Sequence, residues 1–352
     1  MICVQGDRPS TWAQLRRGRD VLPPLCVLLL LVCLDASAGA AAKGCAKAPA
    51  SSRVVNVRDK GAKADGQADD TAAIQSAIDQ VAGTGGTVLV PDGTYMVDAV
   101  GERQLKLKSN MTLKLSSGAT LKAIPTSQQS YSVLTIAGAS NVTVTGGTLE
   151  GDRDDHRGTV GEWGMGIFIT GGAKNITVSG VTSKKMWGDG FYVQAASDVT
   201  FCSVTADYNR RQGLSVIEVE RLLVTDSVFK NTRGTRPSAG IDLEPDNPEQ
   251  KVSDVRIHGS KFLDNAGAGV LVSGKKGHPS IISNVEITQN VFTGIMPIKI
   301  EYAPEVLDSA ICRNRQIVPK TEASGGLSAY ADSSELVVVQ NVCGDRRLML
   351  RR

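Results

Sequence analysis

Between about Met165 and Tyr302 one short pattern returns six times: an apolar residue, an outward residue and a second apolar residue, usually with a small residue ahead. The copies are Ile167-Phe168-Ile169, Phe191-Tyr192-Val193, Leu214-Ser215-Val216, Ile241-Asp242-Leu243, Val270-Leu271-Val272 and Ile298-Lys299-Ile300. Their first members are 24, 23, 27, 29 and 28 residues apart, the period of a solenoid. A second series opens at Val142, Ile176, Val199, Leu222, Val255 and Val285, at gaps of 34, 23, 23, 33 and 30. Each turn therefore carries at least two short strands separated by Gly, Asn, Asp and Ser, which are turn formers. Strands that repeat once per turn stack in parallel about 4.8 Å apart. Leucine-rich repeats share this period but need Leu at fixed positions and a helical or tight return, and neither is visible. The pattern predicts an all-β parallel β-helix.

An unbroken repeat argues for one elongated domain, and a hydrophobic content of 41% supports its core. A formal charge of +3, with scattered Lys and Arg, speaks against a nucleic-acid binder. Residues 1–40 read as a signal peptide: Arg16, Arg17 and Arg19 precede the apolar run Leu25 to Leu34, and small residues at Ala36-Ser37-Ala38 or Ala38-Gly39-Ala40 offer a cleavage site. That run is too short for stable membrane insertion. The expected location is therefore secreted or periplasmic. Residues 41–52 read as a linker, 53–345 as the β-helix domain and 346–352 as a tail. Of the cysteines left after cleavage, Cys312 with Cys343 is the expected disulfide pair, while Cys202 reads as a small packed residue and Cys45 lies in the linker. No zinc-site spacing is present.

Within Val54 to Val97, Asp69 and Asp70 can cap a helix whose Ile74, Ala77, Ile78 and Val81 share one face, with Gly83 as its stop. Such a helix would cover the open apolar end of the stack. Asn110, Asn141 and Asn175 match the glycosylation sequon but stand before strands, where Asn serves as a turn residue. Asn209, Asn231 and Asn265 recur near one place in successive turns, so an internal amide ladder is expected there. The segment from Ile311 to about Ser334 reads as a long loop or incomplete turn, followed by a last strand from Glu335 to Val342.

The outward positions of the rungs align as Phe168, Tyr192, Ser215, Asp242, Leu271 and Lys299, and the next outward positions as Thr170, Gln194, Ile217, Glu244, Ser273 and Glu301. Charge gathers on this face. The loop GDRDDHRGTVGEWG holds Asp152, Asp154, Asp155, His156, Glu162 and Trp163; WGDG places Asp189 at the start of a rung; NRRQG follows one turn later; and GIDLEPDNPE carries Asp242, Glu244 and Asp246. A glycoside hydrolase needs one acid to protonate the leaving oxygen and one carboxylate to activate water or attack carbon. Asp189 with Asp242 or Glu244 suits that task, at about the separation of an inverting pair. Arg210 and Arg211 suit a uronate carboxylate, with Gln212 beside them, and Trp163, Trp187 or Tyr192 could stack on a sugar. His156, Lys299 and Glu301 complete the candidate substrate contacts, although Lys299 and Glu301 also read as a simple ion pair. A polysaccharide lyase would instead use Lys299 or Arg211 as base, and could hold calcium on Asp242, Glu244 and Asp246. No other cofactor is expected. A third reading is a non-catalytic carbohydrate-binding or structural β-helix.

Taken together, GAKADG, DDTAAIQSAID, GGTVLVPDGTY and the later rungs resemble the pectate-lyase-like superfamily of right-handed β-helices, which includes polygalacturonases, rhamnogalacturonases, pectin and alginate lyases and phage tailspike enzymes. The resemblance covers about residues 53 to 345 and is more specific for the fold and its capping helix than for the reaction. It implies an exported enzyme that cleaves a polysaccharide containing uronic acids. WGDGFYV looks like the NTDG rung of polygalacturonases, with Asp189 at the acid position, and RQGLSVI resembles their GHGLSIG rung with Gln212 where histidine is expected. Their paired-aspartate rung is absent, PIKIE matches their RIK motif only loosely, and the Asp-Pro-His run of alginate epimerases and lyases is missing.

Overall fold

Apolar residues that alternate along short strands can all be buried only if the strands wrap around a common core, and the chain does this turn after turn. The computed structural model describes Cys45 and residues 51–278, 281–294, 296–303, 306, 311–319 and 336–340. Residues 1–40, which the sequence marks as an expected signal peptide, most of the expected linker, Cys343 and the tail lie outside the described residues. Each turn adds one strand to each of three parallel sheets. The first sheet runs from Val54–Asn56 to Ile311–Cys312, the second from Asp65–Asp69 to Arg315–Pro319, and the third from Leu105–Lys106 to Ile298–Glu301. Register in the third sheet is unbroken from Ile167 through Phe191, Leu214, Ile241 and Val270 to Ile298. All six of these side chains are fully buried.

The small residue ahead of each rung has a steric cause. A Cβ on Gly240 would stand 2.6 Å from the carbonyl oxygen of Gly269 and 2.7 Å from Phe262 Cδ1. Inside the second sheet the rings of Phe229, Phe262 and Phe292 stack at 5.4 Å and 4.9 Å. On its outer face Lys122, Glu150, Lys184, Asp207 and Lys230 occupy one register column with alternating charge. Glu150 lies 3.3 Å from Lys122 and 3.0 Å from Lys184.

The capping helix spans Thr71–Val81 and buries Ile74, Ala77, Ile78 and Val81 against the first turn. Asp69 rather than Asp70 receives the N-terminal N–H, from Thr71 at 3.0 Å. Asp70 instead accepts from the backbone of Lys63 and Ala64, at 2.6 Å and 3.0 Å, and so ties down the preceding loop. At the sequon positions Asn110, Asn141 and Asn175 have φ of 56°, 57° and 56°, and their exposed amides bond from turn to turn. Asn tolerates this left-handed conformation better than most residues.

Two expectations are corrected. Cys202 is not merely packed: it forms a disulfide with Cys45, 157 residues away. The expected amide ladder is interrupted: Asn209 accepts from the Met186 N–H and Asn265 from the Thr232 N–H, while Thr232, level with both on the turn between, offers only its backbone. Asn231 sits one residue early, at φ 57°, and turns outward to Asp207. A second, buried ladder of Ser227, Ser260, Asn290 and Asn314 links later turns. The segment from Ile311 begins as an incomplete turn, one of the two forms expected: among the described residues Ile311–Cys312 and Arg315–Pro319 extend two of the three sheets, and Leu336–Gln340 pairs antiparallel to the second of them.

Candidate active site

The third sheet sets the site. Its register places Ser215 beside Asp242, with Tyr192 before them and Leu271 and Lys299 after. Asp189 precedes the Phe191–Val193 strand by two residues and Gln212 holds the same place one turn later, so both point toward the start of the rungs. Asp189, Ser215, Gln212 and Asp242 are all fully buried, although their column faces outward from the core. Polar side chains are tolerated there because they bind one another.

Arg211 organises the cluster. Its Nη1 lies 3.2 Å from Asp189 Oδ2 and 2.9 Å from Glu244 Oε1, and donates to Ser215 Oγ at 3.1 Å. Its Nη2 donates to Glu244 Oε2 at 3.1 Å, and Glu162 stands 3.7 Å from its Nε. Burial opposes the guanidinium charge, yet Asp189, Glu244 and Glu162 outweigh it and hold Arg211 firmly protonated. Ser215 Oγ donates to Asp189 Oδ2 at 3.1 Å, leaving Asp189 Oδ1 buried and without a partner. Burial pushes the Asp189 carboxyl up to about 7, against the pull of Arg211. Asp242 Oδ2 accepts from Gln212 Nε2 at 2.7 Å, and burial followed by the adjacent Glu244 carboxyl holds Asp242 well above the usual range. Asp242 Oδ1 and Glu244 Oε1 both lack a hydrogen-bond donor; the Glu244 oxygen is close to Arg211 but off its N–H axis. A proton on Asp242 would satisfy both oxygens.

Because Asp189 and Glu244 share Arg211 Nη1, at 3.2 Å and 2.9 Å, those two oxygens stand no more than about 6 Å apart. That is closer than the roughly 6.5–9.5 Å of an inverting pair, since the guanidinium draws the carboxyls together across the intervening turn. Gln212 spends both ends on the protein, accepting from the Ala239 N–H at 2.7 Å as well as donating to Asp242. Trp187 has both faces covered, by the His156 ring at 4.0 Å and by the Arg210 guanidinium at 3.9 Å. His156 is buried behind it with Nδ1 2.8 Å from Asp152. Tyr131, unmarked in the sequence reading, anchors this wall by accepting from the N–H groups of Asp152 and Trp187, at 3.3 Å and 3.1 Å.

Tyr192 is nearly buried in an apolar patch with Met165, Ile217 and Phe168, and burial followed by the nearby Asp246, Asp189 and Glu244 charges raises its hydroxyl. Trp163 is exposed at the rim of the wall. Lys299 and Glu301 pair with each other at 2.7 Å, half-exposed and two rungs beyond Asp242. Asp242, Glu244 and Asp246 do not converge: Asp246 is exposed in the following loop, and among the described residues no group of three His, Cys, Asp or Glu side chains is arranged to hold a metal ion. Ser215 and Glu162 are the direct contacts that the sequence reading did not assign to the site. Ser215 already stood between Tyr192 and Asp242 in the outward column, which was the available signal.

The chain belongs to the family described as rhamnogalacturonase A/epimerase, pectate lyase-like, whose model matches residues 54–295. It is 26% identical to the uncharacterized protein YclG of Bacillus subtilis, over 82% of this chain and 54% of that one. It is 35% identical to the mannuronan C5-epimerase AlgE4 of Azotobacter vinelandii, over 50% of this chain and 33% of the relative. The solved AlgE4 A-module superposes with a TM-score of 0.52 at 27% identity, covering 70% of this chain and 75% of the module. An exopolygalacturonase from Thermotoga maritima superposes at 0.54 with 15% identity, over 73% of this chain and 70% of that one, a likeness of fold alone. The likeness to an alginate epimerase is thus closer than the missing Asp-Pro-His run suggested. The chain spans about half the length or less of these curated relatives. Among the described residues no helix is long and apolar enough to cross a membrane.

Proposed function

We propose that the protein cleaves a polysaccharide, with uronic acids among its sugars, by glycoside hydrolysis. The observation that carries this reading is the pairing of Asp189, fully buried with a free Oδ1 and a carboxyl pushed up to about 7, with Glu244, ion-paired to the same arginine. Asp189 is the general acid: at mildly acidic pH it holds a proton, which it delivers to the glycosidic oxygen as the bond to the anomeric carbon breaks. Glu244 is the carboxylate that activates water or attacks that carbon, and Asp242 supplies a hydrogen bond to it. Arg211 keeps both carboxyls in place. A general acid that must be protonated gives an activity that falls as pH rises through about 7. Export to the cell exterior is part of the proposal and rests on the arginine-led apolar run of the first 40 residues.

The identity with a mannuronan C5-epimerase favours a second reading, removal and return of the proton at C5 of a uronate. Incubating the purified protein with pectins, alginates, rhamnogalacturonans and neutral glycans separates the possibilities. New reducing ends without absorbance of unsaturated uronate support hydrolysis. Absorbance rising with the reducing ends means elimination, and an altered uronate composition with neither means epimerisation; each would overturn the hydrolytic reading.

A further inference from the structure

Arg211 is ion-paired to both Asp189 and Glu244, which leaves open how an acidic sugar would be recognised. A second group of arginines, beside the acid site, has no such partners. Trp187, Arg210 and Arg233 stand at one position of successive turns, the N–H of Arg210 donating to the Met186 carbonyl at 3.1 Å and that of Arg233 to the Asn209 carbonyl at 3.2 Å. Arg153 reaches the same place from the loop that also carries His156. Arg210 is laid flat on Trp187 and donates to the Gly161 carbonyl at 2.7 Å. Arg153 is laid on Tyr208, 3.8 Å from its ring centroid, and donates to the Tyr208 carbonyl at 2.8 Å. Arg233 is exposed and donates to the Asp264 carbonyl at 3.3 Å.

Arg153 and Arg210 come together beside Gly234, the chain neighbour of Arg233, and both Arg210 and Arg233 are near enough to act on the Arg153 charge. A Cβ on that exposed glycine would stand 2.8 Å from Arg210 Cγ and 3.6 Å from Arg153 Nη2. Among the described residues none of the three makes an ion pair. Asp154, the acid nearest Arg153, is taken by Lys185 at 2.8 Å, and Glu162, which favours the Arg210 charge, leans toward Arg211. Burial depresses the Arg153 guanidinium, and Arg210 and Arg233 add to that although Tyr208 and Asp154 oppose it. Like charges held together on aromatic supports cost stability unless an anion joins them. Flat guanidinium forks with N–H groups to spare are shaped for a carboxylate.

We infer that Arg153, Arg210 and Arg233 form an anion subsite that takes the carboxylate of an acidic sugar residue adjoining the one at Asp189. This rests on the reading of the groove as a glycan site and names how the uronate is held there: by these three arginines, while Arg211 serves the catalytic carboxyls.

The test uses the full chain carrying Asp189→Asn, so that binding is read without turnover. The probes are oligogalacturonate and oligomannuronate, each as free acid and as methyl ester, with a sulfated oligosaccharide as a third anion. At least one free acid should bind about tenfold or more tighter than its ester. Adding Arg153→Gln and Arg233→Gln should abolish that preference while the circular dichroism spectrum and the affinity for the ester hold. Equal binding of acid and ester, a preference that survives both substitutions, binding of the sulfated probe alone, or no binding of any uronate would overturn the subsite. Turnover retained by Asp189→Asn would instead refute the hydrolytic mechanism and leave the comparison of acid with ester standing.

Discussion

Asp189→Asn should make the protein more stable at alkaline pH while removing its turnover. Asn keeps the shape of Asp, and its amide oxygen can accept from Ser215 Oγ and Arg211 Nη1 as Asp189 Oδ2 does at 3.1 Å and 3.2 Å. It has no proton to lose. Asp189 is fully buried, and its carboxyl rises from 3.8 in the open chain to about 7 in the fold. At 1.36 kcal/mol per unit, holding this group ionised costs the folded state about 4 kcal/mol. The sign follows from proton counting. Between the two values the folded protein binds the proton that the unfolded chain has released, so stability falls as pH rises. The penalty is absent below pH about 4 and complete above about 7. Urea denaturation of both proteins across that range should therefore show the variant gaining about 4 kcal/mol relative to the wild type between the two ends. Turnover should fall by roughly 10²- to 10⁴-fold. A stability difference that stays flat with pH would refute the placement of a titrating proton on Asp189, and retained turnover would refute its role as acid.

Gln212→Ala leaves the Ala239 N–H without its acceptor and Asp242 Oδ2 without its donor, both buried, and should cost about 2–4 kcal/mol in the same denaturation assay. Gly240→Ala sets a Cβ against the Gly269 carbonyl, at 2.6 Å, where only backbone can yield, and should lower stability by about 1–3 kcal/mol or prevent folding. Glu150→Lys puts three lysines in a row on the second sheet; a loss of roughly 1 kcal/mol that shrinks in high salt is expected, and a loss insensitive to salt would point to packing instead. Cys45→Ser opens a link across 157 residues and should lower stability by about 2–5 kcal/mol in the same denaturation assay under non-reducing conditions.

The fold was legible because its rule is local and repeated. Alternation with period two put Ile167, Phe191, Leu214, Ile241, Val270 and Ile298 inside, and strict parallel register left Ser215 and Asp242 side by side on the outward column. Wherever a residue's environment depended on that rule, its neighbours could be named from spacing alone. What escaped lay where residue type and register disagreed. Asp207, Lys230 and Leu263 are in register, so Thr232 and not Asn231 stands level with Asn209 and Asn265, and following the asparagines picked the wrong one of two neighbours. Cys45 reaches Cys202 from outside the repeat altogether.

The same division explains the two arginines. Arg210 and Arg211 are neighbours in the loop that leads into the Leu214–Val216 strand, and by composition either could clamp a substrate. The bend that holds them turns the two side chains to different sides, and these sides differ in kind. Arg211 enters a pocket with Asp189 and Glu244 in contact and Glu162 at 3.7 Å, where its charge is the only one of its sign in contact with those carboxyls among the described residues. Arg210 is turned onto Trp187 and the backbone of the wall, next to Arg153. One turn of chain thus separates a surplus of carboxyls from a surplus of guanidiniums. Left to itself, that separation is electrostatically unfavourable, since pairing the two groups would stabilise both. Under the proposed function it becomes favourable when a glycan carrying neutral hydroxyls and periodic carboxylates lies along this face, the hydroxyls over Asp189 and Glu244 and a carboxylate over Arg153 and Arg210.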